Sequence, residues 1–307
     1  MKNDYVIGTR GSRLALIQTT MVAEALRAAW PTCTFTIKEI TTQGDIDRKT
    51  SLEKIGGKGI FVKELERQLL AGDIDFAVHS LKDVMPRLPE NLMISAIPKR
   101  ESPYDCLITR TKVSGIDELP SGTRVGTGSS RRMGQLRHYR PDLQPVSIRG
   151  NVETRVNLVR TGEVDAIVIA EAGLNRLDLH PTDLFRVTVG DFMLPAVGQG
   201  AMAIECRTDD PDVQSRLAVI DDPETHACVH IERDFLRTVG GDCTNPIGGF
   251  AVKTGTDQYH FDGLITSIDG TQVFTDQRDG TLDDHLGQKA ATTLIEAGAL
   301  GAMEEKD

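Results

Sequence analysis

The sequence predicts an α/β protein of two similar lobes followed by a small α+β C-terminal domain. Three observations carry this. The first 80 residues alternate strand, helix, strand, helix, strand, which is the grammar of a βαβ sheet. The same grammar then returns. Ile7-Gly8-Thr9-Arg10-Gly11-Ser12-Arg13 resembles Val125-Gly126-Thr127-Gly128-Ser129-Ser130-Arg131, each a strand ending in a glycine turn that opens a helix. Gly72-Asp73-Ile74-Asp75-Phe76-Ala77-Val78 resembles Gly162-Glu163-Val164-Asp165-Ala166-Ile167-Val168, each following an amphipathic helix. Finally, beyond Asp221-Asp222-Pro223 the pattern changes to a helix, short alternating strands and a last helix.

The elements follow in order. Tyr5 to Thr9 reads as a buried strand, and Ser12 as N-cap of a helix from Arg13 to Trp30 with Leu14, Ile17, Met21, Val22, Ala25 and Leu26 at helical spacing. Thr34 to Ile40 is a second strand, and the polar stretch Thr41 to Gly57 reads as a mobile loop. Gly59 to Ala71 is an amphipathic helix and Ile74 to His79 a third strand, in a sheet expected to be largely parallel. Pro98 to Pro103 and Val189 to Gly200 carry the Pro and Gly of crossings between lobes, so the first lobe is expected to regain the chain after Gly198. The expected domains are 1-98 with 198-219, 103-190, and 221-307. The last holds a helix from Glu224 to Val239, strands Ile247 to Val252, Gln258 to Thr266 and Gln272 to Thr275, and a helix from Asp284 to Met303.

Composition limits function. With 307 residues, 39% hydrophobic and 26% charged, the chain is an ordinary globular protein of two or three domains. No window has the ~18 uninterrupted apolar residues a bilayer requires, so no membrane-embedded role is expected. The start at Met1 runs straight into a strand without an apolar leader, and a cytoplasmic location is expected. A net charge of −10 repels nucleic acid and anionic membranes, so anion binding must be local. Between Arg124 and Arg160 eight arginines stand against two acids, with no lysine. Arginine is the side chain for bidentate grip on carboxylate or phosphate. Arg137, Arg140 and Arg160 read as a solvated helix face, and those beside glycine turns as ligand binders.

Several motifs are set aside. Gly56-Gly57-Lys58-Gly59 lacks the upstream glycine and following Ser/Thr of a nucleotide loop, and Gly126-Thr127-Gly128 meets Arg131 where a dinucleotide fingerprint needs its third glycine. An anion cradle at the helix start remains. His226 and His230 lie four apart around Cys228, but without the glutamate of a zinc protease motif no metal is expected. Five scattered cysteines read as free thiols, with Cys33, Cys106 and Cys206 in apolar contexts. Cys243 differs, since it sits in the turn Gly240-Gly241-Asp242-Cys243-Thr244-Asn245-Pro246 between a helix and a strand. His79-Ser80-Leu81-Lys82-Asp83 ends a buried strand, where open α/β sheets collect functional groups. On position alone Asp83 reads equally as a cap, with Lys82 its partner.

Taken together these motifs resemble the porphobilinogen deaminase (hydroxymethylbilane synthase) family. The resemblance runs through Gly8-Thr9-Arg10-Gly11-Ser12, Gly56-Gly57-Lys58-Gly59, His79-Ser80-Leu81-Lys82-Asp83-Val84, Arg131-Arg132, Arg149-Gly150-Asn151, Pro195-Ala196-Val197-Gly198-Gln199-Gly200 and Glu232-Arg233 to Cys243. It implies two hinged lobes like those of periplasmic binding proteins and a third domain carrying the cofactor cysteine. The implied reaction is condensation of four porphobilinogen molecules to hydroxymethylbilane with release of ammonia, primed by one covalent dipyrromethane on Cys243. It further implies Asp83 as the catalytic group, and Lys82, Asp83, Thr127, Ser129, Arg131, Arg132 and Arg149 around the cofactor. Arg10, Ser12, Arg149, Arg155 and Arg176 are implied for the substrate's acetate and propionate groups, Lys58 for a lid or anion role, no metal, and a monomer. The chain departs from the family pattern at Met85, Asp242 and Asn245. Asp242 places a carboxylate next to the thiol in sequence, which is expected to raise the thiol's pKa. Two competing classes are a two-lobed receptor for a small organic anion and an enzyme using Cys243 as a transient nucleophile. The cysteine-bearing third domain argues against the first, and the lack of an accompanying His–Asp relay against the second.

Overall fold

The computed structural model describes residues 2–42, 59, 62–242 and 244–303. Lys58, Cys243 and most of the expected loop at 41–57 therefore lie outside the described residues. Two compact units are present, Met1–Glu101 with Gly200–His226, and Ser102–Gln199 with Ala227–Asp307.

The first unit is built on a five-stranded sheet of β1 (Asp4–Arg10), β2 (Thr34–Ile40), β3 (Phe76–Ser80), β4 (Leu92–Ala96) and β10 (Met202–Arg207), in the order β2-β1-β3-β10-β4. β1 runs parallel to β2 and β3, whereas β10 is antiparallel to both of its neighbours. The sheet is thus mixed rather than largely parallel. The strand that breaks the parallel run is the one supplied when the chain returns, and a returning strand needs no crossover helix. Residue alternation divides the core. Tyr5, Ile7, Phe76 and Val78 meet Val22 and Leu26 of α1 (Arg13–Ala29), while Ala77 and Ile74 meet Leu65 and Leu69 of α2 (Lys63–Ala71). β3 and β10 are buried on both faces and read as near-continuous apolar runs for that reason.

The second unit repeats the plan with β5 (Asp105–Thr109), β6 (Arg124–Thr127), β7 (Gln144–Ser147), β8 (Ala166–Ala170) and β9 (Phe185–Thr188), ordered β7-β6-β8-β5-β9. Again two pairings are parallel and two antiparallel, and β5, the first strand after the chain enters this unit, is the antiparallel one. Its helices are α3 (Ser130–Tyr139), α4 (Val152–Thr161) and α5 (Glu171–Arg176); α6 (Pro211–Leu217) belongs to the first unit.

The C-terminal region contributes helix α7 (Pro223–Val239) and a three-stranded antiparallel sheet, β11 (Ile247–Gly255), β12 (Gln258–Thr266) and β13 (Val273–Gly280). The helix expected from Asp284 to Met303 is two, α8 (Leu286–Glu296) and α9 (Ala299–Met303), broken where Gly298 takes a φ of +93°. Phe235, Phe261, Ile265, Ala290 and Leu294 form its core. It packs on the second lobe through a close approach of α3 to β12, where a Cβ on Gly134 would lie 2.1 Å from Thr266 Oγ1. Arg137 Nη1 and His138 Nδ1 meet the Ile268 and Gly270 carbonyl oxygens at 2.6 and 3.2 Å.

Candidate functional site

In the first unit the site is made by the carboxyl ends of β1 and β3, where parallel strands present their loops. β1 ends at Arg10, and Ser12 caps α1 by accepting the Ala15 N–H at 3.3 Å. β3 ends at Ser80 and passes into a 3₁₀ turn, Leu81–Asp83. A pocket there is lined by Arg10, Ser12, Gln18, Val62, Ser80 and Asp83. Gln18 is buried and steadies Ser80 through an Nε2–Oγ hydrogen bond of 3.1 Å. Lys82 and Asp83 are half-buried, and the Asp83 carboxylate bonds to none of the described residues. No backbone N–H of the described residues is bonded to Asp83, so it caps none of them; it is an acid at a pocket wall that no described residue bonds.

Next to this turn, on β3, lies a cluster that sequence reasoning missed. His79 Nε2 and Glu205 Oε2 are 3.0 Å apart and both side chains are essentially inaccessible. Burial and the neighbouring Glu205 carboxylate push Glu66 on α2 up to about 7. The signal was present, since a His and a Glu interrupt two otherwise apolar central strands.

In the second unit the equivalent turn follows β6. Ser129 caps α3 by accepting the Arg132 N–H at 3.4 Å, and Thr127, fully buried, accepts the Ser129 N–H at 3.2 Å. No described residue accepts a hydrogen bond from either hydroxyl. Arg131 and Arg132 do not face open solvent; both are buried against Asp105. Asp105 Oδ2 accepts from Arg131 Nη2 at 2.7 Å, and Oδ1 from Arg132 Nη2 and Nε at 2.7 and 3.2 Å. Burial pulls the Arg131 pKa down, and Asp105 opposes the shift. Its Nε is buried without an acceptor.

Arg149, two residues beyond β7, is half-buried and bonds to no described residue. Arg155 on α4 donates from Nε to the Gly150 carbonyl at 2.8 Å, and Arg176 closes α5, half-buried. Two arginines need correction. Arg137 and Arg140 are not a solvated face. Arg137 binds the Ile268 carbonyl, while Arg140 binds Asp142 and the Ile116 and Leu119 carbonyls, so both are spent on tertiary structure. Arg160 is exposed but paired with Asp183 at 2.7 Å.

Around the position of Cys243 the flanking residues are ordered by side chains. Asp242 is buried; its Oδ1 accepts the Thr244 N–H at 2.8 Å and the Thr244 hydroxyl, and its own N–H is accepted by Asn245 Oδ1 at 2.9 Å. The four described cysteines, Cys33, Cys106, Cys206 and Cys228, are all buried, and burial pushes the Cys106 and Cys206 thiols up to about 12 and about 11. Glu232, overlooked in the sequence except as a motif letter, is fully buried. It accepts the Gly198 and Ala251 N–H groups at 2.7 and 3.0 Å, tying α7 to the Pro195–Gly200 crossing and to β11. His226 pairs with Asp221 at 2.8 Å and His230 lies 3.7 Å from Asp234.

A ligand bearing several carboxylates needs cations and N–H donors that the protein has not already consumed. Arg149, which bonds to no described residue, Arg131 Nε, which has no described acceptor, and the hydroxyl protons of Thr127 and Ser129, which no described residue accepts, are such a set at a helix start. A dipyrromethane, two pyrroles with acidic side chains, fits that chemistry.

The comparisons agree with the resemblance. Residues 5–215 match the family profile "Porphobilinogen deaminase, dipyromethane cofactor binding domain", and residues 226–296 match "Porphobilinogen deaminase, C-terminal domain". The chain is 47% identical over 305 residues to a porphobilinogen deaminase of Limosilactobacillus reuteri, covering 99% of each chain. It is 46% identical over 302 residues to one of Syntrophobacter fumaroxidans, covering 97% of this chain and 96% of that one. Solved structures with some likeness include the periplasmic VFT2 domain of Bordetella pertussis BvgS (15% identity, TM-score 0.44, 71% of this chain and 86% of that one). Another is the methionine-binding protein MetQ (12% identity, TM-score 0.44, 75% and 95%). No described helix is long and apolar enough to cross a membrane. With the two family profiles spanning most of its length and relatives near half-identical over all of it, the chain belongs to the porphobilinogen deaminase family, and is a transferase of tetrapyrrole biosynthesis with a dipyrromethane cofactor-binding domain.

Proposed function

We propose that this enzyme joins four porphobilinogen molecules head to tail into hydroxymethylbilane, with Asp83 as its catalytic carboxylate and Cys243 as the thioether anchor of one dipyrromethane per chain. The reading is of a cytoplasmic monomer with domains 1-98 with 198-219, 103-190 and 221-307. The observation that supports it most is the uncommitted carboxylate of Asp83 at the end of β3, in a pocket it shares with Arg10 and Ser12. The burial of the four other cysteines supports the anchor.

The roles follow from charge. Loss of ammonia from the substrate's aminomethyl arm leaves a cation shared with the pyrrole nitrogen. A carboxylate oxygen of Asp83 near that N–H stabilises the cation as it forms. Once the new carbon–carbon bond is made, a ring carbon must lose its proton, and the same oxygen accepts it. One acid serves both moments by lying between the two rings, because the first cation is on the incoming pyrrole and the second on the attacking ring of the bound chain. Arg10 and Ser12 bind the acetate and propionate of the incoming substrate, as do Arg149, Arg155 and Arg176. Lys82, Thr127, Ser129, Arg131, Arg132 and Arg149 hold the cofactor, and Lys58 has a lid or anion role. The bound cofactor supplies a nucleophilic pyrrole carbon from which the chain grows.

Intact mass together with an Ehrlich-type colour reaction on native protein tests the reading. A mass excess of one dipyrromethane that maps to Cys243 and disappears in Cys243→Ser is expected. An adduct on another cysteine would sink the anchor assignment, and anion binding without adduct or turnover would make the protein a receptor.

A further inference from the structure

We infer that Asp105 is the positioning residue for Arg131 and Arg132, locking the two guanidiniums into a receptor that is one positive charge in excess and so matched to a single carboxylate; this rests on the reading of those arginines as carboxylate binders. Asp105 opens β5, whose next residues Cys106, Leu107 and Ile108 are wholly apolar surroundings, and it is itself fully buried. A lone carboxylate in such a place is very costly, and partners must offset it. Here it has three. Oδ2 holds Arg131 Nη2 at 2.7 Å, while Oδ1 holds Arg132 through both Nη2 and Nε and also the amide of Gln199 at 2.9 Å.

The far side of each guanidinium is fixed as well. Arg131 Nη1 donates to the Leu194 carbonyl at 2.7 Å and Arg132 Nη1 to that of Val168 at 3.1 Å. Leu194 is itself held by Gln135, whose Oε1 accepts its N–H at 2.7 Å. Of the five N–H donors on a guanidinium, three of Arg131 and two of Arg132 bond to no described residue. The pair is thus oriented before any ligand arrives, which spares a ligand the entropy of ordering two long side chains. Without Asp105, two cations on successive residues would repel each other inside a low-dielectric core.

An independent observation separates this from a folding requirement. In the second sheet the last residue of β8, Ala170, is opposite Asp105; in the first sheet the last residue of β3, Ser80, is opposite Met202. The same scaffold position therefore accepts an apolar side chain where no arginine pair follows. Asp105 answers to Arg131 and Arg132, not to the sheet.

The test uses Asp105→Asn and Asp105→Glu in the full chain, with Arg132→Leu and Arg149→Leu as references for the carboxylate reading. Two quantities are read, the rate at which apo-protein gains the cofactor mass from porphobilinogen, and the split between KM and kcat in loaded enzyme. Asp105→Asn is expected to slow cofactor gain and raise KM by about 10-fold. The change in kcat should be smaller, and Asp105→Glu should recover part of the loss. If Asp105→Asn folds and matches wild type in both while Arg132→Leu does not, the inference is overturned and the carboxylate reading stands. If Arg132→Leu and Arg149→Leu also match wild type, that reading fails and takes the inference with it. Should Asp105→Asn fail to fold, Gln199→Met, which removes the amide that bonds both Asp105 Oδ1 and the Pro103 carbonyl, is expected to raise KM by about 3-fold; an unchanged KM there overturns the inference equally.

Discussion

The two lobes are one scaffold used in opposite ways. Both have five strands with two parallel and two antiparallel pairings, a central strand buried on both faces, and a glycine turn capped by serine at Ser12 or Ser129. Each central strand also runs straight into a short helical turn bearing an acid. After β8 that acid is Glu171, and it is consumed. Its Oε1 accepts the Thr188 hydroxyl at 2.5 Å, its Oε2 the Ser102 hydroxyl at 2.7 Å, and Arg186 lies 3.5 Å away. After β3 the acid is Asp83, and no described residue claims it. The scaffold places acids in both lobes, and what separates the consumed acid from the one no described residue bonds is whether neighbouring residues supply donors.

Asp83→Asn is the sharpest way to break the comparison. It keeps the shape and removes the charge, so with the cofactor verified by mass a fall in turnover of at least about 100-fold is expected. Near-normal turnover in single-turnover kinetics would reduce Asp83 to the status of Glu171. Arg149→Leu comes next. A charge-assisted hydrogen bond contributes about 1.5–3 kcal/mol, so binding of substrate or cofactor should weaken by about 10-fold to 150-fold. Steady-state KM and cofactor loading equal to wild type would remove Arg149 from the site.

These contrasts show which parts of the molecule could be read from the sequence. β2 and β12 match their expected bounds, and the Ser12 cap is where it was placed, because local periodicity and a short polar side chain decide such features. The antiparallel strands β5 and β10 were not resolved, since strand direction is set by where the chain returns from, not by any residue within the strand. The same limit applied to the site. Arg131, Arg132 and Arg149 were picked out alike as cations near glycine turns, yet two are tied to Asp105 and one bonds to no described residue. An arginine's partner lies 26 or 27 residues away in sequence, so only a charged residue heading an apolar strand hinted at the pairing.

Glu171→Ala sharpens the comparison from the structural side. It leaves the Ser102 and Thr188 hydroxyls without their acceptor, which should cost about 1–3 kcal/mol of stability while turnover stays within about 2-fold of wild type. Thermal unfolding set beside activity measures both, and a large loss of turnover at unchanged stability would mean that the second lobe's acid is chemical too.

The smallest effect expected concerns the acids buried in the first lobe alone. Glu66 ordinarily ionises near 4.5, but burial and the Glu205 carboxylate push it up to about 7, with His79 and Lys63 opposing. The sign follows from which state ionises first. Below about 4.5 Glu66 is protonated in both folded and unfolded chains and costs nothing. Between about 4.5 and about 7 the unfolded chain loses its proton while the folded one retains it, so stability falls as pH rises; above about 7 the full cost stands. Glu66→Gln mimics the protonated form at every pH. The variant should therefore unfold several degrees higher than wild type at pH 8, an upper bound of about 3 kcal/mol. Near pH 5 the gap should shrink to about one degree. Taking the difference between the two proteins cancels the other carboxylates that titrate over this range. A gap that stays constant from pH 5 to pH 8 would show that Glu66 is ionised throughout, held so by His79 and Lys63, and that the first lobe pairs its buried acids as completely as the second lobe pairs Asp105.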